Sequence, residues 1–113
     1  MTQLTEKKCR PCEGNVNPMT DDQIQMMLKE IPKWQCEYAA VDSIHRDFSF
    51  KNYYHTMSFV NAIAWIAHQE NHHPDLEVGY NHCKVRYSTH AIGGLSENDF
   101  ICAAKVDALL NEP

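Results

Sequence analysis

The spacing of apolar residues along this chain changes several times, and each change marks a new element. Ile24, Met27, Leu28 and Ile31 recur at i, i+3, i+4 and i+7, the stripe of an amphipathic helix of about three turns. Thr20-Asp21-Asp22-Gln23 stands ahead of them as a capping box, and Pro32 ends the pattern. Trp34, Cys36 and Tyr38 then alternate with polar positions, as do Ile44, Phe48 and Phe50. Residues 39–42 between them are few enough for a hairpin connection, so two antiparallel strands are predicted.

From about 52 to 71 the period becomes helical again, with Phe59, Val60, Ile63, Ala64, Ile66 and Ala67 forming a broad face to be buried against a sheet. Pro74 cannot continue that helix and disfavours helical geometry at His73, so the adjacent His72 and His73 fall at a helix end. Leu76, Val78 and Tyr80 alternate, as do Cys83, Val85, Tyr87 and Thr89, with Asn81 and His82 as turn residues of a second hairpin. Gly93-Gly94 turns the chain, and Ser96 with Asp99 three positions later marks the start of a last helix, with a staple between Leu95 and Phe100. The order is α-β-β-α-β-β-α. Hairpins separated by helices imply an α+β fold in which one antiparallel sheet carries the helices on one face. The other face and the edges of so small a sheet stay uncovered, which favours self-association.

A length of 113 residues holds one domain. Residues 1–18 read as a polar leader and 19–113 as the domain. Hydrophobic residues at 43% and charged residues at 22% are those of an ordinary folded protein. The net charge of -5 has the wrong sign for a nucleic-acid partner. The longest uncharged stretch, 52–69, mixes Asn, His, Thr and Ser with its apolar residues, so a buried helix is expected and no membrane span. No apolar run follows Lys7 and Lys8, so the secretory-signal pattern is missing and the cytoplasm is the expected compartment.

Five cysteines is an odd count, and in a reducing compartment all are expected as thiols. Cys36, Cys83 and Cys102 lie in expected strands or helix and read as small buried hydrophobes. Cys9 and Cys12 form a Cys-x-x-Cys pair, a spacing used by zinc knuckles and redox centres. No second such pair follows to complete four ligands, and the motif stands in the leader rather than between a strand and a helix. A flexible N-terminus is the plainer reading.

Of the seven histidines, His68, His72, His73, His82 and His90 crowd into residues 68–90. Imidazole titrates near neutrality, so a converging group suits either proton transfer or a transition metal. His68 and His72, four apart on a helix, would share a face as two zinc ligands do. The metalloprotease pattern His-Glu-x-x-His is nevertheless absent, because Gln69 follows His68 and Glu70 is misplaced. His90, on the fourth strand with parity opposite to Cys83, Val85, Tyr87 and Thr89, leaves the face those residues bury and can line a cleft. Surface residence explains any one histidine alone. It does not so easily explain an adjacent pair ahead of proline together with a third on an outward strand position.

Glu70-Asn71-His72-His73-Pro74-Asp75, Tyr80-Asn81, Ser88-Thr89-His90 and Gly94-Leu95-Ser96-Glu97-Asn98-Asp99 together resemble the pterin-4a-carbinolamine dehydratases, over about residues 20–110. The leader with Cys9 and Cys12 is similar to that of bacterial members. The resemblance implies a four-stranded antiparallel sheet with three helices on one face, assembled as a homodimer or homotetramer. It also implies dehydration of 4a-hydroxytetrahydrobiopterin to the quinonoid dihydropterin, recycling the cofactor of an aromatic amino acid hydroxylase, with no metal or organic cofactor of its own.

On that resemblance His72, His73 and His90 match the catalytic histidines and Asp99 their acidic partner. Asn71, His72 and His73, with Ser88, Thr89, His90 and Ala91, match the segments that hold the pterin. Loss of the C4a hydroxyl calls for a general acid while the N5 proton is removed. The expected roles are His72 and His90 as acids, His73 as an orienting group, and Asp99 as the carboxylate that positions a histidine and favours its charged form. Capping of the last helix accounts for Asp99 equally well. His68 departs from the pattern, standing where many members have Glu, and His45, His55 and His82 read as surface residues. The alternatives are a zinc module built from Cys9, Cys12 and histidines, or a small protein that stabilises a partner's dimer.

Overall fold

The computed structural model describes residues 3–11 and 16–110. Its elements are α1 (Asp21–Leu28), β1 (Gln35–Glu37), β2 (Ser43–Ser49), α2 (Tyr53–Glu70), β3 (Asp75–Val78), β4 (His82–Tyr87) and α3 (Glu97–Ala108), the predicted order. Short 3-10 turns add Leu4–Glu6 and His90–Ile92. At the start of α1 the capping box is formed: Thr20 N–H donates to Gln23 Oε1 at 2.9 Å and Gln23 N–H to Thr20 Oγ1 at 3.3 Å. The helix stops short of its apolar stripe, at Leu28, and a turn carries Ile31 into the core.

The strands form one antiparallel sheet in the order β1-β2-β4-β3. Ile44 lies opposite Tyr87 and Phe48 opposite Cys83, and with Val85 they make one buried apolar face. Ile24 of α1, Phe59 and Ile63 of α2, and Phe100 and Ile101 of α3 close on that face as a single core. Each such side chain removed from water contributes about 1.5–3 kcal/mol, which is what holds three helices on a four-stranded sheet. The opposite face is a grid of charge, with Lys84 between Glu77 and Asp47 and Arg86 beside Asp75. Arg86 also pairs with Glu37 at 3.0 Å. Such a face is at home in water and gives association no apolar drive. The exposed aromatics among the described residues lie elsewhere, at Tyr53, Tyr54 and Trp65 on α2, at Tyr38 after β1 and at Tyr80 after β3.

Two expectations need correction. The buried arc of α2 is narrower than the apolar pattern suggests: Thr56, Phe59, Ile63 and Ile66 face inward, whereas Ala64 is exposed. Thr56 belongs to the core because its hydroxyl lies 2.9 Å from Asn52 O and 3.0 Å from Tyr80 O. The described part of the leader is packed rather than loose. Leu4 is buried in the core, and Lys105 Nζ donates to Thr5 O at 3.2 Å, so the segment lies along α3. Cys83 and Cys102 are buried as expected, and Cys36 is half-buried. Cys12 lies outside the described residues.

Candidate active site

The end of α2 sets the geometry. Asn71 takes the left-handed conformation (φ 52, ψ 42), and its N–H and that of His72 both donate to Ala67 O. Asn tolerates this conformation better than most side chains, so the helix unwinds one residue ahead of the histidines. His72 is therefore not on α2 and shares no helix face with His68, which removes the two-ligand zinc geometry expected from their spacing. His68 instead lies exposed beside Trp65, ring centroids 5.5 Å apart.

His72 turns inward. Its Nε2 lies 2.6 Å from Asp99 Oδ1, and its ring stacks on Tyr87 at 5.9 Å with the planes 9° apart. Asp99 is fully buried at 0% exposure. Its other oxygen accepts from Thr89 Oγ1 at 2.8 Å and from Ser96 N–H at 3.0 Å. A carboxylate taken out of water needs such donors, and they are charge-assisted and strong. Capping of α3 and positioning of a histidine are thus both realised, one oxygen for each. Because the carboxylate only accepts, His72 donates from Nε2, leaving Nδ1 as the ring's second polar atom.

His90 does not sit on the fourth strand. β4 ends at Tyr87, and Thr89 closes back on Gly94 with N–H to O at 2.8 Å. The Thr89 hydroxyl is drawn to Asp99 and Gly93 takes φ 70, so His90 opens a 3-10 turn instead of continuing the ladder. The ring is exposed, with Nε2 3.4 Å from Ser88 Oγ.

These two chain ends frame a cleft of about 490 Å³. Asn71, His72 and His73 border it from the end of α2, and Ser88, Thr89, His90 and Ala91 from the turn after β4. All the expected substrate-contacting residues are brought together. Asp99 alone of the expected set does not line the cleft but stands behind His72, hydrogen-bonded to its ring. His45, His55, His68 and His82 do not border it.

The other wall was not foreseen. Cys9, Arg10 and Pro11 of the leader form it, with Glu70 and Asn98 beside them. Arg10 N–H donates to Asn98 Oδ1 at 3.0 Å, and Asn98 Nδ2 donates to Arg10 O at 2.6 Å, an amide acting as a strand partner for the leader. Cys9 N–H donates to Glu70 Oε1 at 2.8 Å. Burial works to raise the Glu70 carboxyl, but the Cys9 N–H and the charges of Lys105 and Lys8 outweigh it and hold the group below the usual carboxylate range. Nothing periodic in the leader signals this contact, although Glu70 and Asn98 both fall inside the motifs that mark the site. Among the described residues no group of three or more His, Cys, Asp or Glu is disposed to hold a metal ion.

Comparison with known proteins covers most of the chain. The family model described as pterin 4 alpha carbinolamine dehydratase matches residues 17–109. A relative from Nitrosomonas eutropha, provisionally named a pterin-4-alpha-carbinolamine dehydratase, is 61% identical over 108 residues, covering 95% of this chain and 93% of the relative. One of the same provisional name from Legionella pneumophila (strain Corby) is 56% identical over 110 residues, covering 95% of each. A crystal structure from Brucella melitensis, described as a transcriptional coactivator/pterin dehydratase, superposes with a TM-score of 0.76 at 29% identity, covering 82% of this chain and 98% of that one. Another solved structure, a pterin dehydratase-like protein described as a RuBisCO assembly factor, shares the fold with a TM-score of 0.62 at 23% identity, covering 72% of this chain and 93% of that one. The family-model match over residues 17–109, with relatives 56–61% identical along most of the chain, places this protein in the pterin 4 alpha carbinolamine dehydratase family.

Proposed function

We propose that this protein is a hydro-lyase that removes water from a pterin 4a-carbinolamine, such as 4a-hydroxytetrahydrobiopterin, to give the quinonoid dihydropterin. One observation carries the reading: His72, His73 and His90, separate in the chain, border one cleft, with buried Asp99 holding His72 from behind. The volume of about 490 Å³ lies in the range of small-molecule sites and is ample for a flat two-ring heterocycle. The C4a–O bond breaks as the hydroxyl takes a proton and departs as water, and the N5–H proton leaves to form the new C=N bond. Groups that titrate near neutrality serve both transfers. His72 and His90 deliver and accept these protons. His73, exposed at the rim, orients the ring, and Asn71 with the Ser88–Ala91 turn supplies polar contacts to it. Asp99 fixes the tautomer and direction of His72.

In this reading the product is reduced back to the tetrahydropterin used by an aromatic amino acid hydroxylase, and no metal takes part. The protein acts in the cytoplasm; no helix among the described residues is long and apolar enough to cross a membrane. Exposed Tyr54 and Trp65 on α2, together with the outer edges of β1 and β3, support assembly as a homodimer or homotetramer. Light scattering on the purified protein tests the assembly. Stopped-flow absorbance of carbinolamine decay, with and without protein, tests the reaction: acceleration in proportion to protein concentration is expected, and an unchanged decay would remove the reading.

A further inference from the structure

The leader wall of the cleft carries a second chemistry. Cys9 Sγ lies 3.5 Å from Cys102 Sγ, joining positions 93 apart in the chain, and 3.6 Å from Asn98 O. Cys102 is fully buried on α3, whereas Cys9 is half-buried and borders the cleft. The hydrogen bond with Cys9, and then burial, push the Cys102 thiol far above its ordinary range. Cys9 Sγ donates to the Asn98 carbonyl, which leaves Cys102 as the donor in its contact with Cys9. The two sulfurs thus differ in access: a solute entering the cleft meets Cys9 first, with Cys102 directly behind it.

We propose that Cys9 and Cys102 are an oxidation site, at which a hydroperoxide converts the pair to a disulfide that fastens the leader to α3. The Cys9 thiol gives up its proton and its sulfur attacks the distal peroxide oxygen; an S–O bond forms, the O–O bond breaks, and the departing oxygen takes up one proton and leaves as an alcohol, or as water from hydrogen peroxide, leaving a sulfenic acid on Cys9. The Cys102 sulfur then attacks the Cys9 sulfur; the S–S bond forms, the S–O bond breaks, and the hydroxide leaves as water with the Cys102 proton. Two thiols are oxidised by two electrons and one peroxide is reduced. Closing a 3.5 Å contact to a bond of about 2.05 Å requires movement. The half-buried Cys9 side chain and the leader that carries it can supply it. Arg10, the next residue, is held by Asn98, so the bond fixes the wall of the cleft rather than a remote surface. Formation of the bond stands apart from the dehydratase reading; only its effect on turnover rests on that reading.

The test is titration of the purified full-length protein with hydrogen peroxide, alkylation of the remaining thiols, and unreduced peptide mapping by mass spectrometry. A Cys9–Cys102 cross-link that dithiothreitol reverses is expected, with a rise in melting temperature of roughly 5 °C or more. Cys12→Ser must retain both, and Cys9→Ser must lose both. A cross-link from Cys9 to Cys12 alone, a sulfinic acid on Cys9 without any cross-link, or Cys9 left as a free thiol would each overturn the proposal. Cys102→Ala is a further control; if it fails to fold, the mapping of wild type and Cys12→Ser still decides. Carbinolamine decay measured on the same oxidised and reduced samples reads the consequence for turnover separately from the bond.

Discussion

His72 Nε2 stands 2.6 Å from Asp99 Oδ1, joining the second residue after α2 to the first turn of α3. The same carboxylate holds Thr89, the residue before His90, through its other oxygen. One buried group therefore sets the direction of both segments that bring histidines to the cleft.

Replacing that group separates positioning from folding. Asp99→Asn keeps the shape and lowers kcat about ten- to a hundredfold, as happens when carboxylates orienting metal-bound histidines are changed, with KM little altered because Asp99 does not line the cleft. Asp99→Ala also strands the Ser96 N–H, leaves the Thr89 hydroxyl to Ser96 Oγ, and costs about 1–3 kcal/mol in denaturant titration.

His90 has no such structural duty, since its ring is exposed and its nearest polar partner is 3.4 Å away. His90→Ala is expected to lower kcat by about 10²–10⁴-fold with the thermal midpoint unchanged within error. Steady-state kinetics beside a melting curve checks both halves.

Asn71 tests the turn that frees His72 from the helix. At φ 52, Asn71→Gly is tolerated, while Asn71→Ala costs about 1 kcal/mol and loosens both histidines. Melting curves of the two variants should rank Gly above Ala, and turnover should follow the same order.

Glu70 makes stability depend on pH. Its carboxyl is held below the usual range in the folded protein, so its contribution is complete above the unfolded carboxylate range and is lost as pH falls through the depressed folded value. Glu70→Gln is expected to be less stable than wild type at neutral pH, with the gap closing in acid. Chemical denaturation of the pair across pH reads this difference.

A chelator should leave turnover untouched. Dialysis against EDTA followed by the carbinolamine assay checks this, and elemental analysis of the same sample checks for bound zinc. Activity lost with EDTA and restored by zinc would favour the metal module instead.

Most of the fold was legible because local signals and burial agree. The Thr20–Gln23 box, the alternation in β4 and the change of period at 52 each reappear as predicted, and β2 buries Ile44 and Phe48 as expected although Phe50 falls beyond its end. The site was legible in part: Pro74 marks the break that carries His72 and His73, and Asp99 sits at a helix start where carboxylates commonly cap. His90 was misplaced because alternation through Thr89 reads as strand, and nothing local reveals that Asp99, ten residues on, captures the Thr89 hydroxyl and ends the ladder. The leader was misread for a related reason. Its contacts run through single residues to α3, about ninety positions away, and leave no period behind.

The most direct test follows carbinolamine decay by stopped flow with wild type, His72→Ala, His90→Ala and the double variant. Acceleration by wild type is expected, with each single variant losing most of it and the double losing little more, because groups that act as one unit are not additive. Wild-type acceleration that survives intact in the double variant would contradict catalysis by these histidines.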